Sequence, residues 1–162
     1  MKDKEVIKLI EKELESLCSL LGVDCERRLQ MDKGEEEVKY IKVFFEGDDL
    51  GYMIGSHGRH LDSLQYILQI MTSRILDEEP NYRILVDVGG YREERNSKLE
   101  ELALQKADDV RILGEPIELS PMKPADRRAV HMALSQFDDI ETESEGEGRD
   151  RYVVIKPANY EA

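Results

Sequence analysis

At 162 residues, with 40% hydrophobic and 36% charged residues and no tryptophan, the chain has the composition of one folded domain or of two small ones. No apolar run approaches the roughly 18–20 residues of a membrane span, and Met1-Lys2-Asp3-Lys4-Glu5 opens a mixed-charge segment unlike the apolar core of a signal peptide, so a cytoplasmic protein without membrane insertion is expected. A formal net charge of −13, spread as −7 over residues 1–88 and −6 over 89–162, disfavours nonspecific polyanion binding and requires any phosphate site to be local. Screening acts over about 8 Å at physiological salt, so such a site can work within an acidic chain. Cys18 and Cys25 read as free, small hydrophobes and not as a disulfide or a metal pair.

Val6, Leu9, Ile10, Leu14, Leu17, Leu20 and Leu21 recur at helical spacing among Lys and Glu, with Gly22 as the stop, which predicts an amphipathic first helix. Val23, Cys25, Arg27, Leu29 and Met31 alternate as in a strand with one buried face. Asp32-Lys33-Gly34 reads as a turn, and the β-branched and aromatic run 38–45 as the second strand of a hairpin. Asp48 or Asp49 is placed to cap a short helix through Ile54. Beyond Gly58, the stripe Leu61, Leu64, Leu68, Met71 and Ile75 marks a long helix, with Pro80 just past its end and a third strand over 82–88. The order is α-β-β-α-α-β over residues 1–88.

Gly89-Gly90 reads as a hinge, so 89–98 is expected to hold the hinge and the start of a linker helix, and 99–158 a second unit. The helix is predicted over 91–113, with Leu99, Leu102, Ala103, Lys106, Ala107, Val110 and Leu113 in register and Gly114 as its stop. A short strand over 116–119, a helix with Pro124 in its first turn running to Gln136, and paired strands over 140–144 and 152–155 make a small α/β unit with a three-stranded sheet. The acidic run 138–147 belongs to that hairpin. The whole chain reads as α+β.

Two motifs carry chemistry. In Ile54-Gly55-Ser56-His57-Gly58-Arg59 an apolar residue precedes Gly-x-x-Gly, and a long helix follows. Glycines let the backbone turn sharply and a ligand approach closely, while the amides at the next helix start face outward in a positive helix-dipole field. Gly55 and Gly58 would shape the turn, the amides of Ser56, His57 and Gly58 would meet phosphate, and Arg59 would add charge. Leu50, Met53, Ile54 and Leu61 are core residues first and candidates for a base-holding groove second. His57-x-x-His60 has no cysteine or carboxylate set to complete a metal site, and no metal or cofactor is expected.

The second motif is Arg127-Arg128-Ala129-Val130-His131. Arg127 and His131 are four apart and share a helix face. One reading makes them a polar pair that meets a phosphate and a base or sugar. The other makes Arg127 a surface cation and His131 a half-buried residue that satisfies the strand ends. Arg128 offers a second phosphate contact, and Arg149, Arg151 and Lys156 add positive charge if the hairpin folds against that helix. Arg92 and Arg95 are expected to pair with Glu93, Glu94 or Asp87.

The first unit's order, with Gly55-Ser56-His57-Gly58 between its second and third helices, resembles a type II KH domain, a module that clamps about four nucleotides with such a loop. The second motif resembles the Arg-x-x-x-His, or R-3-H, nucleic-acid-binding domain. Val86-Asp87-Val88-Gly89-Gly90-Tyr91-Arg92-Glu93-Glu94-Arg95, Leu119-Ser120-Pro121-Met122, Arg127 to His131 and Glu143-Ser144-Glu145-Gly146 together resemble the bacterial Jag, or SpoIIIJ-associated, family. The resemblance covers roughly residues 1–158 and reads as a short form without the N-terminal Jag domain that many members carry. It implies a non-enzymatic RNA-binding protein, in some members associated with a small single-KH-domain protein and linked to envelope growth and cell division. Many KH loops carry Lys or Arg at a variable position, where this chain has Ser56-His57.

The leading expectation is therefore a binder of single-stranded RNA, with single-stranded DNA left open because no device for sensing the 2′-OH is visible. Three Phe, seven Tyr and no Trp leave few stacking platforms, which points to low sequence specificity. The alternative is an adaptor whose KH-like unit forms a homodimer or pairs with another KH protein. A nuclease is disfavoured, because no nucleophile–base pair and no carboxylate cluster at metal-ligand spacing is present.

Overall fold

The computed structural model describes residues 3–34, 38–76 and 82–160. The chain divides into two compact units, Met1–Arg92 and Glu93–Ala162. Pro80, the expected stop, and the opening Met1-Lys2 lie outside the described residues.

The first unit runs α1 (Asp3–Leu21), β1 (Glu26–Lys33), β2 (Lys39–Glu46), α2 (Gly51–Ile54), α3 (Arg59–Ile75) and β3 (Tyr82–Val88). Strands β1 and β2 are antiparallel, β3 is parallel to β2, and the sheet order is β1-β2-β3. Alternation puts Ile41, Val43 and Phe45 of β2 and Ile84, Val86 and Val88 of β3 on one buried face. Val6, Ile10, Leu14 and Cys18 of α1 and Leu61 and Leu68 of α3 pack into the same core. The buried line on α1 recurs every four residues and is narrower than the expected stripe: Leu20 and Leu21 are exposed. Gly22, at φ +66, ends the helix as a Schellman motif, with Val23 N–H donating to Cys18 O at 2.9 Å and Gly22 N–H to Ser19 O at 3.2 Å.

Two local expectations shift. Strand β1 begins at Glu26, not Val23, and continues through Asp32 and Lys33, which pair with Tyr40 and Lys39 and are not a turn. A 2.6 Å ion pair from Lys42 to Asp32 favours that register, and Gly34 N–H donates to Val38 O at 2.7 Å beyond it. Neither Asp48 nor Asp49 caps α2: Leu50 holds the N-cap position without a side-chain bond, and Asp49 itself is left-handed at φ +56.

Strand β3 sits at a sheet edge, yet several of its outward backbone groups are occupied. Gln69 Oε1 accepts Ile84 N–H at 2.9 Å, and Gln65 Oε1 accepts Val86 N–H at 3.2 Å. Arg92 Nε donates to Val86 O at 2.8 Å, and its Nη2 to Gln65 Oε1 at 3.0 Å. Arg92 also faces Asp62 at 3.4 Å, so its partners lie on α3 and β3 and are not the expected neighbours. Asp87 Oδ1 instead accepts the Arg92 backbone N–H at 3.2 Å.

The second unit takes most of α4 (Tyr91–Leu113), then β4 (Ile117–Glu118), α5 (Pro124–Leu134), β5 (Ile140–Glu145) and β6 (Tyr152–Pro157), with sheet order β4-β6-β5 and both pairings antiparallel. Leu99, Ala103, Ala107 and Val110 of α4, Val130 and Leu134 of α5, and Val153 and Ile155 of β6 form its core. Leu113 is exposed, and Gly114, at φ +70, closes α4 with its N–H on Val110 O at 2.8 Å. Helix α5 stops at Leu134, before Gln136, and Phe137 N–H donates to Leu134 O.

The edge of β3 predicts a measurable cost. Gln69→Ala leaves Ile84 N–H without its acceptor, which should lower stability by about 1–2 kcal/mol in urea unfolding and speed exchange of the Ile84 amide before that of residues in β2.

Candidate nucleic-acid interface

In the first unit the Gly-x-x-Gly stretch is one tight turn between α2 and α3. Gly55 adopts φ +68, ψ −174, a region open essentially only to glycine. His57 at φ +53 and Gly58 at φ +80 are both left-handed. Gly55 N–H donates to Gly51 O at 3.0 Å and Gly58 N–H to Gly55 O at 3.3 Å, so both glycine amides are spent inside the turn. Gly58 is buried, whereas Ser56, His57 and Arg59 are exposed. Of the three amides expected to face phosphate, those of Ser56 and His57 are left for that role. Leu50, Met53 and Leu61 are buried in the core, and Ile54 is half-buried against it.

His60 is a residue that pattern reading treated only as half of a metal pair. Its Nδ1 lies 2.8 Å from Tyr52 O, and since a carbonyl only accepts, Nδ1 carries the proton. Its ring covers Gly55: a Cβ placed there would fall within 3.0 Å of three ring atoms. Among the described residues no group of three or more metal-ligating side chains forms.

In the second unit, β5 folds against α5 through His131. Its Nδ1 is 2.7 Å from Thr142 Oγ1 and its Nε2 2.9 Å from Ser144 Oγ. Both ring nitrogens are thus engaged by hydroxyls that can donate or accept. Arg127 is half-buried, with Nε donating to Met122 O at 3.3 Å, while Met122 N–H donates to Arg151 O at 3.1 Å. Met122 therefore joins the start of α5 to the segment carrying Arg151. Arg128, Arg149 and Arg151 are exposed. Lys156 does not join them. It lies opposite Glu141 on the sheet face turned away from Thr142 and Ser144, 3.1 Å from Glu143 and 3.9 Å from Glu141.

A second anchor was not legible in the pattern. Arg95 reaches neither Glu93 nor Glu94; its Nη2 meets the buried Asp126 at 2.9 Å and its Nε the same oxygen at 3.2 Å. Asp126 precedes Arg127, so this half-buried ion pair sets the first turn of α5. An acid in a first helical turn ordinarily reads as a surface residue favoured by the helix dipole, and no local signal marks it as buried.

With these two sites in view, the relatives are informative. Residues 11–86 match the KhpA/KhpB KH domain family, and residues 97–157 match the R-3-H domain family. The chain is 37% identical over 120 residues to the RNA-binding protein KhpB of Clostridium symbiosum, an alignment covering 74% of this chain and 53% of that one. It is 32% identical over 123 residues to the protein of the same name from Bacillus subtilis strain 168, covering 75% and 58%. This is a KH plus R-3-H protein, with homologues among the KhpB proteins of the Jag family. The chain spans about half the length of these curated relatives. The KH match runs from within α1 into β3 and includes the Gly-x-x-Gly turn between α2 and α3, and the R-3-H match runs from within α4 to β6. Among the described residues no helix is long and apolar enough to cross a membrane.

The His131 contacts carry a pH signature. Burial, and secondarily the charge of Arg127, hold its pKa below the ordinary 6.5. The unfolded chain then takes up the proton first, so the stability from neutral His131 is complete above about pH 6.5 and is lost as pH falls through the lower folded-state value. Urea unfolding of the second unit between pH 7.5 and 5.5 should weaken with acid more steeply in the wild type than in His131→Gln, which has no ring to protonate.

Proposed function

We propose that this chain binds single-stranded RNA along its phosphate backbone, without catalysis, through the Gly-x-x-Gly turn of its KH unit and the basic side of its R-3-H unit. The observation that carries the reading is the turn itself. Positive φ angles at Gly55, His57 and Gly58 leave Ser56 and His57 exposed just ahead of the first turn of α3. Backbone amides at a helix start are a phosphate site that needs no lysine in the loop. Arg59 adds charge there.

In the R-3-H unit the cationic contacts are Arg127, Arg128, Arg149 and Arg151. His131 acts behind them: its bonds to Thr142 and Ser144 hold α5, with Arg127 and Arg128, on β5. That the relatives are named RNA-binding proteins supports the reading. The modules are 1–88 and 99–158, joined by 89–98. The setting is cytoplasmic, in a post-transcriptional or envelope and division role of the kind the family resemblance implies. A second reading, an adaptor that pairs through the KH unit with a copy of itself or another KH protein, is favoured by the exposed Tyr66, Ile67 and Ile70 on α3.

The test is fluorescence anisotropy with a labelled single-stranded RNA of mixed sequence at two salt concentrations. Saturable binding is expected, with a log–log salt slope of about −2 if three phosphates are contacted. His57→Asp/Arg59→Asp and Arg128→Ala/Arg149→Ala/Arg151→Ala should each weaken it several-fold while remaining folded. Absence of wild-type binding at tens of micromolar overturns the RNA reading. A dimer that persists by light scattering after nuclease treatment then selects the adaptor.

A further inference from the structure

His60 is exposed and lies outside the Gly-x-x-Gly motif, yet its geometry decides what the motif can offer. Helix α2 ends at Ile54, and its last internal bond is Gly55 N–H to Gly51 O. Were the helix to continue by one residue, Ser56 N–H would donate to Tyr52 O, four residues back. That carbonyl instead accepts Nδ1–H of His60, at 2.8 Å. The imidazole takes the acceptor that the Ser56 amide would use, and it does so from the first turn of α3, across the face of Gly55. The missing Cβ at Gly55 gives the ring its place. At the break that Gly55 makes, one side chain therefore ties α2 to α3 and denies the Ser56 amide its helical acceptor.

We infer that His60 is the positioning residue of the phosphate-binding turn, holding the Ser56 N–H in its ligand-ready direction by occupying the Tyr52 carbonyl. The inference deepens the RNA-binding reading and rests on it for its consequence in affinity, but its structural half stands independently of RNA. It also accounts for how a loop with Ser56-His57 in place of a lysine or arginine serves as a phosphate site: the donor is a backbone amide, and its direction is set from outside the loop. A preorganised donor avoids the ordering cost that a mobile one incurs on binding.

Two substitutions separate donor chemistry from bulk. His60→Asn carries an N–H at nearly the position of Nδ1 and should keep the bond to Tyr52 O. His60→Leu fills the space over Gly55 without a donor. In the RNA-free protein, the Ser56 amide should behave as a solvent-exposed N–H in wild type and His60→Asn, by temperature coefficient and exchange with water. In His60→Leu it should become protected as it turns back to Tyr52 O. Affinity for the labelled RNA should fall about tenfold in His60→Leu, the scale of one hydrogen bond to a charged phosphate, and return in His60→Asn. The same Ser56 behaviour in all three proteins overturns the inference. A Ser56 response without any change in RNA affinity overturns the amide's role as a contact. A Ser56 response in a protein whose wild type binds no RNA supports His60's hold on the turn and overturns the RNA reading alone.

Discussion

A strand at the edge of a three-stranded sheet leaves every second backbone group without a partner strand, and in the KH unit the helix that follows the glycine turn supplies partners for several of these groups. Gln65 and Gln69 of α3 reach the N–H groups of Val86 and Ile84, and Arg92 closes on Val86 O and Gln65. Buried Leu61 and Leu68 hold the same helix to the core by apolar contact. The polar bonds add direction, because hydrogen bonds to a fixed ladder of amides set the helix's rotation and register where hydrophobic contact alone would tolerate slippage. They also blunt an edge that would otherwise invite another strand. The Gly-x-x-Gly turn inherits this rigidity, since it is the N-terminal continuation of α3.

Charge is organised locally within an acidic chain. In the R-3-H unit, side chains alternate across the sheet: Thr142 and Ser144 face α5, and Glu141, Glu143 and Lys156 face the other way. Lys156 is neutralised on the acidic side, while Arg128, Arg149 and Arg151 are exposed. Arg111 is likewise engaged, bridging Asp108 and Asp139 and lying over the ring of Phe137. Several cations among the described residues, Arg95, Arg111 and Lys156 among them, are therefore engaged by carboxylates, whereas the exposed Arg128, Arg149 and Arg151 carry the proposed polyanion contacts. Salt screening keeps the distant acidic residues from cancelling them.

Much of the fold was legible in the sequence because it is written in short-range patterns. Helix starts and stops followed from periodicity and from glycines at left-handed positions such as Gly22 and Gly114, and the hairpin strands from alternation. The misplacements have a common cause. Asp32 and Lys33 look like turn residues, but a pair with Lys42 and Tyr40 across the ladder draws them into β1. Leu20, Leu21 and Leu113 fit a helical stripe, but the core ends before reaching them. The partners of Arg92 and Arg95 lie 30 and 31 residues away in sequence, at Asp62 and Asp126, and no neighbouring residue announces them.

The sequence by itself determined the two-unit α+β order, the glycine turn before a long helix and the Arg-x-x-x-His pair on one face. These depend on steric and periodic rules that act within about a dozen residues. Only the tertiary structure decided which polar atoms are spent and which are left over. It commits both ring nitrogens of His131 to β5, buries Asp126 beneath Arg95, turns Lys156 toward Glu143, and places His60 on the carbonyl that Ser56 would otherwise claim. The reason is that hydrogen-bond satisfaction is an accounting over whatever groups the fold brings within about 3 Å, and that set is fixed by packing between elements distant in the chain.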